Sequence, residues 1–124
     1  MVIETNIPAT VETRPALYYT YRQNNSGGHF ITDDKVCGFV VIQAHDEKDA
    51  DRRAQNIGIY FDGVAGGWDC DCCGDRWSNA WQDGTEQPEL YGKHPADYDD
   101  SFTKNGEVFC RVYHLDKSIK EYKK

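Results

Sequence analysis

The chain reads as an α+β domain: a small antiparallel or mixed β-sheet with one main α-helix packed on one face. Three observations lead there. Residues 47–57 carry apolar side chains at helical spacing behind a capping aspartate, Asp46. Shorter runs at 17–22, 36–43 and 107–115 are rich in β-branched and aromatic residues, the composition of half-buried strands. Their order, β, β, β, α, β, long loop, β, lacks the regular alternation of a doubly wound parallel sheet.

Taken in order, residues 1–16 have no clear period, contain Pro8 and Pro15, and read as an extended arm ahead of a single ligand-binding domain at 17–124. In the strand at 17–22, Leu17, Tyr19 and Tyr21 alternate with Tyr18, Thr20 and Arg22. Turn formers from Gln23 to Gly28 end it, extended structure resumes at 29–32, and 36–43 is the most apolar strand. In the helix, Ala50, Ala54 and Ile57 form the packing face, and Arg52 and Arg53 face water. Gly58 suits the left-handed position beyond its last turn. A short strand is expected at 59–61. Residues 82–104 form a long acidic connection anchored by Leu90, Tyr91, Tyr98 and Phe102, which leaves one sheet face partly covered. Asn105-Gly106 signals a hairpin. In the last strand Val108, Cys110 and Val112 share one face, and Phe109, Arg111 and Tyr113 the other. The basic tail from Asp116 suggests a short C-terminal helix.

With 124 residues the chain holds one core, and its net charge of −7 argues against a broad nucleic-acid-binding face. A small anion stays within reach, because two or three focused arginines suffice to bind a phosphate. No apolar run has the length of a membrane span, and the first residues lack the basic and apolar regions of a signal peptide. A protein of a reducing cytosol is therefore expected, with its five cysteines outside any disulfide framework.

The stretch that organises the rest is 59–81, which holds all three tryptophans, Trp68, Trp77 and Trp81, with Cys70, Cys72, Cys73 and Arg76 among four glycines. A metal site drawn from Cys70, Cys72, Cys73, Cys110 and His114 lacks the usual pair of C-x₂-C knuckles, so no metal is assigned. Catalytic pairings of Cys73 with His94 or His114, or of Asp75 with Asp69, sit in no recognisable local frame, so no catalytic residue is assigned either. Binding without turnover has more support. Trp77, Trp81, Phe109 and Tyr113 offer flat faces for a base, Arg76 and Arg111 offer forks for phosphate, and Asn24 and Asn25 open an amide-rich loop. A buried aromatic cluster with a stacked arginine would leave the same pattern.

Residues 19–28, 57–63 and 72–77, with a fainter echo at 110–113, are similar to segments of the first anti-Thoeris family, small bacteriophage proteins that act as sponges for signalling nucleotides. The resemblance implies a non-enzymatic anti-defence protein of the host cytoplasm, with no cofactor. It would sequester the cyclic ADP-ribose isomer made by TIR enzymes, as a homodimer with pockets at the subunit interface. Some members form hexamers that also take up cyclic trinucleotides of CBASS. On that reading an aromatic of 77–81 stacks on adenine, Arg111 pairs with the pyrophosphate, and Arg22, Asn24 and Asn25 face phosphate at a second site. An acidic protein that inhibits a host protein by direct binding, and a small zinc-stabilised adaptor, are the competing readings.

Overall fold

A computed structural model describes residues 15–28, 30–80, 83–100 and 103–124. The expected arm therefore lies almost wholly outside the described residues, as do Trp81 and Phe102. Strand β1 (Leu17–Arg22) leads through a loop with a 3-10 turn (Ser26–Gly28) to β2 (Phe39–Ala44) and helix α1 (Glu47–Asn56). After a long irregular stretch come β3 (Val108–Tyr113) and β4 (Ile119–Lys123). The strands form one sheet in the order β1-β2-β3-β4. The outer pairs are antiparallel and the central pair, β2 with β3, is parallel. A parallel pair needs a crossover, and α1 with the irregular stretch supplies it. The mixed α+β architecture expected from the sequence is what the chain adopts.

Strand β2 lies at the centre because both its faces are apolar. Val40, Ile42 and Ala44 pack with Tyr19 and Tyr21 beneath α1, where Ala50, Ala54, Ile59 and Trp77 close the core. Phe39 and Val41 face the other way, into a second cluster with Leu90, Phe109, Cys110 and Val112. Leu90 is fully buried, so the acidic connection covers the face expected to lie partly open.

Helix α1 starts where it should. The Asp46 side chain accepts from the Asp49 N–H at 2.7 Å, and Gly58 beyond the last turn has φ 102°. Arg53 is not simply solvated: its Nε lies 3.1 Å from both oxygens of buried Asp49, which Arg52 also pairs.

Four local expectations are corrected. Residues 59–61 form no strand; Ile59 instead closes the core under α1. Residues 30–32 are likewise not a strand. The tail forms β4 rather than a helix, turning back after β3 through a tight turn in which Lys117 has φ 74°. Asn105-Gly106 does turn, but it leads into β3 instead of joining two paired strands. Among the described residues no helix is long and apolar enough to cross a membrane.

Candidate functional site

Among the described residues, the constellation expected from the sequence does not assemble around one cavity. Trp77 is only 1% exposed and sits in the core under α1, with no ring face left for a base. Arg111 is 6% exposed. Its Nη1 donates to the carbonyls of Asp33 and Val36, and its Nε donates to Glu121 at 2.8 Å. The 33–36 turn is built to receive it. Asp33 Oδ1 accepts from the N–H groups of Lys35 and Val36 at 2.8 Å each, which aims the two carbonyls at the guanidinium. Burial raises the Asp33 pKa, but those N–H groups and the guanidinium outweigh it and hold the carboxyl below its usual range.

Phe109 and Arg111 do not share a face. A register shift between Val108 and Cys110 inserts a bulge, so Phe109 turns into the cluster of Cys110 and Val112. Tyr113 stays on the opposite face and donates its hydroxyl to the Lys35 carbonyl. Arg76 is a buried strut: its Nη1 donates to Gln23 Oε1 at 2.9 Å and its Nη2 to the Ser26 carbonyl at 2.6 Å.

The candidate catalytic groups are also occupied in holding the fold. Asp69 accepts from Tyr60 Oη at 2.7 Å and from the Arg76 N–H at 2.8 Å, and Asp75 accepts from the Val64 N–H. His94 caps the short turn at Pro95–Asp97, and His114 Nδ1 lies 2.9 Å from Tyr18 Oη.

The second expected site fares differently. Arg22 and Asn25, both exposed, line an open cleft of about 400 Å³. It lies where β1 ends and β2 and β3 begin, since Arg22 pairs with Phe39 and Phe39 with Cys110. Its aromatic walls come from residues that the sequence did not single out as ligands: Phe30, Phe39, Tyr91 and Tyr98. Tyr91 and Tyr98 stack with centroids 6.1 Å apart, and Phe39 meets both edge-on at 6.0 and 5.4 Å. Lys104 adds a second cation, and Asp100 and Glu107 add carboxylates.

Tyr91 is 52% exposed, and its backbone is strained at φ 52°, a region a bulky residue rarely enters. With Gly92 at φ 83° it forms a two-residue turn closed by reciprocal Leu90–Lys93 hydrogen bonds of 2.7 and 3.1 Å. The sequence signal was Tyr91-Gly92, a turn pair with an aromatic where asparagine or aspartate is usual. Asn24 borders the cleft, but its side chain holds the cysteine loop, donating to the carbonyls of Cys73 at 2.7 Å and Asp75 at 3.2 Å.

In that loop the Sγ atoms of Cys70, Cys72 and Cys73 all lie within 4.8 Å of one another. Contact with its neighbours lowers the Cys70 thiol pKa and pushes that of Cys72 up to about 11. Cys37 and Cys110 are buried, and burial raises both.

A family described as a domain of unknown function (DUF7296) matches residues 16–124. The chain belongs to that family. The matched span takes in all four strands, α1, the cleft and the cysteine loop. No curated protein and no solved structure matches the chain.

Proposed function

We propose that the protein binds a small nucleotide-type anion in the cleft at the end of β1 and holds it intact. Acting in the host cytoplasm as a phage anti-defence sponge, it withdraws a cyclic ADP-ribose-type signal made by TIR enzymes. One observation carries the reading: cations, exposed rings and carboxylates line one cleft of about 400 Å³, a volume in the usual range for small-ligand sites. On this reading Arg22 and Lys104 would pair with phosphates, the exposed rings of Phe30 and Tyr91 would take a base, and Glu107 would accept from ribose hydroxyls. Stacking contributes about 1–3 kcal/mol per base and the charge-assisted bonds add to it, so capture needs no chemistry. The resemblance to the first anti-Thoeris family supports the sponge role, while the location differs from the one it implied, since Trp77 and Arg111 are buried and the cleft is the expected second site. It also suggests assembly as a dimer or trimer of dimers, with cyclic trinucleotides taken at further sites.

Calorimetric titration with a cyclic ADP-ribose isomer tests the proposal, followed by heat release and chromatography of the ligand. Saturable binding with the ligand recovered unchanged is expected. Arg22→Ala and Tyr91→Ala should each weaken binding by about tenfold or more, the loss of one charge-assisted bond or one stacking face. No binding, or a hydrolysed product, overturns it.

A further inference from the structure

The five cysteines divide by position. Cys37 and Cys110 are sealed in the strands, whereas Cys70, Cys72 and Cys73 bring their sulfurs together at the surface. Nothing in the cleft's proposed ligand chemistry uses these three thiols. The geometry points to a metal site for a thiophilic d¹⁰ cation, zinc or copper(I), held by Cys70, Cys72 and Cys73, with any further position left to water or an exogenous ligand.

One separation already matches a shared ion, and the set is compact, with all three sulfurs within 4.8 Å of one another. The Cys72 and Cys73 sulfurs are 3.8 Å apart. Two thiolates bound to one zinc at about 2.3 Å in tetrahedral geometry stand about 3.8 Å apart. Cys70 and Cys72 approach to 2.8 Å, inside ordinary sulfur–sulfur contact and far from bonded, so a cation between them needs a small opening of the loop. The missing second knuckle, which argued against zinc from spacing alone, is answered by a single turn that points three successive thiols the same way.

That turn is held by its own backbone and by two neighbouring side chains. The Cys70 carbonyl accepts from the N–H groups of Cys73 at 3.2 Å and Gly74 at 3.0 Å, with Gly74 at φ 87°. Ser26 Oγ accepts from the Cys70 N–H at 3.1 Å, and Asn24 donates to the Cys73 carbonyl at 2.7 Å. The backbone is thus set before any ion arrives, which lowers the ordering cost of binding. Loading would convert three thiols to thiolates and release their three protons to solvent.

The test is titration of the reduced chain with cadmium, reading thiolate-to-metal charge-transfer absorption, alongside zinc and copper contents of the protein purified from cells. One equivalent of cadmium is expected, with zinc or copper near stoichiometric in the purified protein identifying the resident ion. Cys72→Ser and Cys73→Ser should each weaken cadmium binding by at least about tenfold, and the triple serine variant should show no band. These residues lie at or near the surface, so circular dichroism should show all variants folded. Three outcomes overturn the site: no band in the wild type, a band that persists in the folded triple variant, or a Cys70–Cys72 disulfide in protein isolated with thiols protected. None depends on nucleotide binding, so this site and the cleft stand or fall separately.

Discussion

At the scale of single residues, the ring and guanidinium types that suggest a nucleotide site fall into two sets with opposite jobs. Trp77, Arg76 and Arg111 are interior parts, while Arg22, Asn25 and Tyr91 face solvent. Residue type alone cannot separate them, because a stacked arginine and a phosphate-binding arginine use the same fork. The consequence is measurable. Arg111→Ala should destabilise the fold by about 1–3 kcal/mol, because the carbonyls of Asp33 and Val36 lose their donor. The Glu121 pairing adds little, since that carboxylate is half in water. Trp77→Ala should cost about 3–5 kcal/mol through the cavity it leaves. Urea denaturation of each variant checks both figures. Ligand affinity of folded Arg111→Ala should stay close to wild type; loss of affinity at full stability would return Arg111 to the site.

At the scale of elements, legibility followed burial. Strands β1 and β2 and helix α1 were readable because the strands bury continuous runs rich in β-branched and aromatic residues and the helix buries an apolar set at helical spacing. Strand β4 was not, since nearly all of it is exposed and no buried face imprints a period of two on its charged residues. The bulge at Phe109 was equally hidden: one extra residue inverts the face of everything before it, and no residue there advertises it. The walls of the cleft come from a connection without periodicity, so its rings could be noted as anchors but not placed.

Helix α1 carries its own prediction. Burial acts to raise the Asp49 pKa, but the His45 N–H and the paired Arg53 and Arg52 outweigh it, so the folded value lies below the ordinary 3.8. A carboxyl depressed on folding contributes stability that is fully present above its unfolded value and lost as pH falls through the folded one. Asp49→Asn should therefore lower the thermal midpoint at neutral pH, by roughly 2 kcal/mol of stability. The gap to wild type should close in acid below that 3.8. Thermal melts from neutral pH downward check it, and a constant gap would show that Asp49 acts through shape rather than charge.

At the scale of the whole molecule, a chain of net charge −7 is proposed to capture an anion. The long-range field opposes approach, and attraction is confined to Arg22 and Lys104 at the cleft. Salt separates the two. At physiological ionic strength screening acts over about 8 Å, so repulsion from distant carboxylates fades while contacts of a few ångströms inside the cleft persist. The association rate for a cyclic ADP-ribose isomer should therefore rise as salt increases from low to physiological levels, the reverse of a site steered by a basic face. Dissociation should change little over the same range, because it is governed by stacking and short charge-assisted bonds. Stopped-flow fluorescence can read both rates, with Tyr91 or an introduced reporter at the cleft. An association rate that falls steeply with salt would mean that attraction, not repulsion, dominates the approach. Lys117, Lys120, Lys123 and Lys124, clustered along the C-terminal segment and far in sequence from Arg22, would then be the first residues to neutralise.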